Sequence, residues 1–256
     1  MSVKIAICNQ KGGTGKTTTA NILGSRLTDL GYKVLSVDID PQANLSVSKG
    51  IANAEKTILG VLLGEVAVKD AILHTETGDI VPASNMLAVA PTALAEKTGK
   101  EYKLKEALES VDRGYDYILI DCPPALNTLS INSLVCADRV IIPVNADGYS
   151  LQGLDQLVKT VNDIRKYFNP SLEITGVLLT KYNSRTRITK EVAELLDRLT
   201  ADLGTKVFDT KIRGTTKADE LQFRSEGIFK YAPKSNLATD YAEWVDELIQ
   251  NIENKW

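Results

Sequence analysis

The sequence predicts an α/β fold: one domain with a mainly parallel, twisted sheet covered by helices on both faces. Two observations predict it. Short apolar, β-branched runs alternate along most of the chain with segments whose apolar residues recur at helical spacing, the pattern of a parallel sheet between helix layers. The first such run, residues 3–8, enters Gln10-Lys11-Gly12-Gly13-Thr14-Gly15-Lys16-Thr17-Thr18, and a helical face of Ala20, Leu23, Leu27 and Leu30 follows. Strand, glycine-rich loop and helix in that order form the context of a phosphate-binding loop.

Each element has its own signal. Gly31 stops the first helix, and residues 33–38 form a second strand. Asp38 and Asp40 follow at its carboxyl end, where open parallel sheets place ligands, and Pro41 ends it. Residues 44–49 read as a short helix. Residues 51–113 carry the weakest signal: a helix over 57–63, a short strand over 79–82 and a helix within 93–111. The run 115–121 is a buried strand closed by Asp121 and then Pro123-Pro124. A helix over 127–136 and a strand over 139–144 come next. Leu151, Leu154, Leu157, Val158, Val161, Ile164 and Phe168 mark a helix over 150–168, ended by Asn169-Pro170. After a strand over 174–180, Ile188, Val192, Leu195, Leu196, Leu199 and Leu203 form another helical face, followed by a strand near 206–208. A last helix over 237–252 carries an apolar stripe. No repeat, low-complexity tract or linker divides residues 1–256.

Composition narrows the function classes. With 43% hydrophobic and 25% charged residues the chain is an ordinary soluble protein, and no apolar run reaches the ~20 residues of a membrane span. Net charge is −3, so any nucleic-acid contact must come from a local patch. Cys8, Cys122 and Cys136 are too scattered for a Cys-x-x-Cys metal site and read as reduced core thiols of a cytoplasmic protein. His74 stands alone in a polar stretch and reads as solvated. The chain opens directly on a strand, without the pattern of a signal peptide or room for an N-terminal helix-turn-helix.

The chemistry centres on the loop. Its glycines let consecutive N–H groups turn toward an anion, backed by the positive end of the helix. Gly12, Gly13, Thr14, Gly15, Lys16, Thr17 and Thr18 would bind the phosphates, with Lys16 on the β- and γ-phosphates and the Thr17 hydroxyl on Mg²⁺. The plain G-x-x-x-x-G-K-[ST] pattern fails at one place, where Gln10 replaces the first glycine, and a second lysine, Lys11, precedes the glycines. Asp121 closes an apolar strand, as a Mg²⁺ partner would, and Asp38 is the other candidate. Thr180-Lys181-Tyr182-Asn183 follows a strand, which makes Asn183 either an adenine contact or a turn residue.

These motifs resemble the deviant Walker A ATPases, a P-loop NTPase family that includes ParA, Soj and MinD. The resemblance rests on residues 9–19, on Val37-Asp38-Ile39-Asp40-Pro41-Gln42 and on Ile118-Leu119-Ile120-Asp121-Cys122-Pro123-Pro124, and is nearest to the short ParA/Soj-type DNA-partition ATPases. It implies ATP and Mg²⁺ as ligands and a slow, partner-stimulated hydrolysis. It implies that Lys11 reaches the partner's nucleotide in a homodimer with ATP sandwiched at the interface, and that Asp40 orients the attacking water; capping the next helix is the other reading of Asp40. Residues 181–234 hold twelve Lys/Arg against eight Asp/Glu. Counting alone reads that as solvated surface. The resemblance implies non-specific binding of double-stranded DNA through Arg185, Arg187, Lys190, Lys211, Arg213 and Lys217. A ParB-type centromere-binding protein is the implied partner, and the location is nucleoid-associated.

Three rivals differ in class. A MinD-like spatial regulator would bind membrane through its last helix, but here that helix has an acidic polar face of Asp240, Glu243, Asp246, Glu247 and Glu253, which anionic lipid repels. Docking on the domain's own core is the expectation. A P-loop enzyme acting on a small metabolite need not carry Lys11. A ParA-like ATPase could also position a protein cargo.

Overall fold

In the computed structural model, the structure describes residues 1–147, 153–202 and 204–253. The strands are β1 (Val3–Ile7), β2 (Val34–Asp38), β3 (Asp79–Val81), β4 (Tyr117–Asp121), β5 (Arg139–Asn145) and β6 (Glu173–Thr180). The helices are α1 (Lys16–Asp29), α2 (Asn44–Ser48), α3 (Ile58–Leu63), α4 (Val68–Ala71), α5 (Ala90–Leu94), α6 (Lys103–Glu109) and α7 (Thr128–Cys136). They continue as α8 (Leu154–Tyr167), α9 (Arg187–Asp202), α10 (Lys217–Leu221), α11 (Ile228–Tyr231) and α12 (Asn236–Glu253), with 3₁₀ turns at Asn85–Val89, Lys100–Tyr102 and Asp112–Gly114.

The six strands form one sheet in the order β3-β2-β4-β1-β5-β6, and every neighbouring pair is parallel. All five residues of β4 and all seven of β5 are buried, as strands covered on both faces must be. Alternation then sorts the side chains into two cores. Ala6, Val37, Ile120 and Val144 point into one layer with α3 and α5 to α9, while Ile5, Ile7, Leu119 and Leu178 point into the other with α1, α11 and α12. The stripe of α12 is spent in that second layer: Leu237, Tyr241, Trp244, Val245, Leu248 and Ile252 are all buried. Trp244 meets Phe208 and Tyr241 edge-to-face at 5.7 and 5.8 Å. No helix among the described residues is long and apolar enough to cross a membrane.

The strand expected near 206–208 is a single parallel bridge, Val177 to Val207. The reason lies on α12: Glu247 accepts hydrogen bonds from the N–H groups of Asp209 and Thr210, both at 2.9 Å, and draws the chain off the sheet edge. The helix expected over 150–168 is described from Leu154, and Leu151 lies outside the described residues, as does Leu203. The helix expected within 93–111 is α6, and α5 precedes it.

Candidate functional site

The carboxyl ends of β1, β2, β4, β5 and β6 converge beside the N-terminus of α1. Gly13 (φ 70°) and Gly15 (φ 90°) take left-handed backbone in the loop between β1 and α1, which side chains with a Cβ rarely adopt. Side chains at strand ends hold this loop. Asn9 donates to Pro143 O at 2.6 Å and accepts from Lys11 N at 3.0 Å. Asn145 donates to Gly13 O at 3.2 Å, and Thr180 donates to Thr14 O at 3.0 Å. None of these three is a ligand candidate on sequence grounds; each has the signal of a position at or just beyond a buried strand's carboxyl end, and Asn9 also falls within the motif 9–19. Lys16 is buried at the start of α1, its ammonium donating to Lys11 O at 3.1 Å.

The two strand-end aspartates differ in their surroundings. Asp38 is fully served: Oδ2 accepts from Ser46 N at 2.8 Å and Ser46 Oγ at 2.7 Å, and Oδ1 from Asp40 N at 3.2 Å. It anchors α2, whose far end is held by Lys49 donating to Thr77 O at 2.7 Å. Burial pushes the Asp38 carboxyl up to about 6, against the Ser46 hydrogen bonds. Asp121 is equally buried, and neither of its oxygens has a hydrogen-bond partner of normal geometry among the described residues. Burial, then the Asp38 charge, raises its pKa well above the carboxylate range, while the adjacent Thr17 hydroxyl and Lys16 pull the other way. A buried carboxylate, Asp121, with lone pairs unused by normal hydrogen bonds and a threonine hydroxyl beside it fits a hard divalent cation, which takes oxygen ligands directly or through its waters.

That electrostatic load predicts a pH response. Below pH 3.8 Asp38 is protonated folded or unfolded; between 3.8 and about 6 only the folded state keeps the proton, so stability falls as pH rises through that window. Asp121 is shifted in the same direction and adds to the fall. Without divalent cation, the melting temperature is expected to drop over this range, and Asp121→Asn to melt higher than wild type at neutral pH with a shallower slope. Added Mg²⁺ should stabilise wild type and not the variant. An unchanged slope in Asp121→Asn would mean that Asp121 is not the uncompensated charge.

Asp40 is 7% exposed and lines the same cleft, Oδ1 accepting from Gln42 N at 3.0 Å. It does not cap α2, whose N-cap is Ala43 in left-handed backbone. The cleft, about 910 Å³, is floored by Gly12, Gly13, Gly15, Lys16, Thr17 and Thr18 and continues past Thr180 and Lys181 to residues 212–216. Lys11 lies on the rim, its ammonium 2.9 and 3.0 Å from the Asp147 carboxylate of its own chain. Asn183 is exposed and absent from the cleft lining; its Oδ1 accepts from Arg185 N at 3.0 Å, the geometry of a turn residue.

The chain bridges Tyr182 to Arg213 in parallel, so the basic segment 211–217 runs past the turn that leads into 185–190. Arg187 pairs with Glu191, Lys217 with Glu220 and Arg213 with Asp240, and Lys211 lies 5.8 Å from the Tyr182 ring centre. Arg185 and Lys190 are exposed and make no ion pair among the described residues.

Known proteins resemble this chain. A family model described as AAA domain matches residues 2–174. The sporulation initiation inhibitor protein Soj of Bacillus subtilis (strain 168) is 41% identical, over 96% of this chain and 98% of that protein. The chromosome partitioning protein ParA of Caulobacter vibrioides is 38% identical, over 98% of this chain and 95% of that one. Among solved structures, cobyrinic acid a,c-diamide synthase from Mycobacterium smegmatis, with bound ATP analog and magnesium, superposes with a TM-score of 0.85 at 34% identity, covering 100% of this chain and 98% of that one.

Proposed function

The chain belongs to the ParA/Soj-type partition ATPases of the AAA-domain family, and we propose that it works as an ATP-dependent dimerisation switch that binds DNA without sequence preference. The observation that carries the nucleotide half is the buried Asp121, whose oxygens lack a hydrogen bond of normal geometry, behind Thr17, which lines the cleft that the phosphate loop floors. Thr17 and Asp121 would hold Mg²⁺, and the loop N–H groups and Lys16 the phosphates. Bound Mg²⁺ supplies charge neutralisation on the transferred phosphoryl group. Asp40 orients the attacking water, and Lys11 acts on the nucleotide of the second subunit. Slow hydrolysis, stimulated by a ParB-type partner, resets the switch. A membrane-regulator role has less support, because the apolar stripe of α12 is already buried.

The DNA half rests on the two basic segments, 185–190 and 211–217. The ATP form is expected to bind two unrelated duplexes equally and far more tightly than the ADP form, since dimerisation doubles the patch. Arg185→Ala and Lys190→Ala should each lower the slope of log affinity against log salt by roughly one unit on both duplexes. Titrations of each duplex at several salt concentrations, with ATP or ADP, give the answer. Equal affinity in both nucleotide states, or no DNA binding at all, would remove the switch and favour small-molecule chemistry of the kind the synthase's name describes.

A further inference from the structure

We propose that Asp240, on the C-terminal helix, is a positioning residue for nucleotide binding: it clamps Arg213 and so sets the cleft wall formed by residues 212–216. The inference rests on the ATP reading above and deepens it. Asp240 is 4% exposed, and both its oxygens are taken up by a single residue. Oδ2 accepts from Arg213 N at 2.9 Å and Nε at 3.0 Å; Oδ1 accepts from Nε at 3.0 Å and Nη2 at 2.5 Å. A two-pronged pair with the backbone N–H added fixes Arg213 in orientation as well as position.

Besides this clamp, the wall is held by the Ile212 side chain, buried in the same layer as α12, and by backbone hydrogen bonds. Ile212 N donates to Leu179 O at 2.9 Å and Gly214 N to Tyr182 O at 3.2 Å, both toward the end of β6. Asp240 holds it from the opposite side. The same face of α12 enters the cleft directly: Leu237 and Tyr241, three residues before and one after Asp240, are lining residues. Tyr241 Oη lies 2.9 Å from Thr19 Oγ1 of α1, the helix that begins at Lys16. One helix thus braces both the phosphate end of the cleft and the wall beyond it. A nucleotide whose phosphates sit on the loop would meet 212–216 with its nucleoside. Losing the guanidinium would leave a buried carboxylate unpaired and release the wall. Arg213 accordingly serves the cleft, although its place in a basic stretch suggested a DNA contact.

The test is calorimetric titration of Mg²⁺-ATP and of Mg²⁺-tripolyphosphate, which has the phosphates without the nucleoside, into wild type, Arg213→Ala, Asp240→Asn and the double variant. Each single change is expected to weaken ATP about tenfold, the double no more than either, with tripolyphosphate unchanged, as for two residues acting as one unit. Arg213→Lys keeps the charge without the fork and should lose less ATP affinity than Arg213→Ala; it serves if the other variants fail to fold by circular dichroism. Unchanged ATP affinity, or equal losses for ATP and tripolyphosphate, would overturn the clamp. Lys16→Ala in the same series separates the two readings: if it keeps full affinity for ATP, the nucleotide assignment itself falls.

Discussion

Lys11→Ala is expected to lower ATP turnover by about 10³–10⁵-fold, the range for a cation supplied in trans to a phosphoryl transfer, while leaving ATP affinity near wild type. The argument is one of place. Lys16 starts α1 and already fills the lysine position of the phosphate loop, its ammonium over the loop carbonyl of Lys11. Lys11 stands on the rim, and its ammonium lies against Asp147 of its own chain. To act on a second subunit it must exchange that carboxylate for the partner's phosphates, an exchange between two anionic partners that costs little net charge stabilisation. Removing it should therefore weaken the ATP-dependent dimer as well as hydrolysis. Light scattering with ATP and a phosphate-release assay measure both effects. An undiminished dimer with normal turnover would end the trans assignment.

Asp40→Ala should do the opposite to the dimer. Hydrolysis is expected to stop, with ATP and Mg²⁺ binding almost intact, because Asp40 is not needed to hold α2 and contributes a cleft-lining carboxylate. Positioning a water with such a group is a large share of what a phosphoryl-transfer site does. With no route back to ADP, the ATP dimer should persist on gel filtration where wild type decays to monomer. A variant that turns over normally would reduce Asp40 to the turn it makes with Gln42.

Part of this site is legible in the sequence. The loop composition, the lysines at 11 and 16 and aspartates closing apolar strands are local patterns, and parallel strands bring their carboxyl ends to one edge by construction. Local pattern could not choose between Asp38 and Asp121. Both end buried strands, and they face each other in register across β2 and β4. Ser46, eight residues on in a short helix of weak propensity, satisfies one of them and leaves the other without a hydrogen bond of normal geometry. Asn183 is a similar case. Its position after β6 is the same whether it meets a base or makes a turn, and the outcome depends on where the returning segment 212–216 runs.

What the sequence by itself determined is what depends on near neighbours along the chain: the strand–loop–helix that cradles an anion, the alternation that makes a parallel sheet covered by helices on both faces, and the apolar stripe of the last helix. The tertiary structure decided which distant residues share a charge. Arg213 and Asp240 lie 27 positions apart with no periodic relation, and a bridge brings Arg213 to Tyr182 from 31 positions away. A charged side chain's role follows from the partner it meets after folding, because burial without a partner is costly and a partner removes the cost. The sequence can count the charges; only packing pairs them.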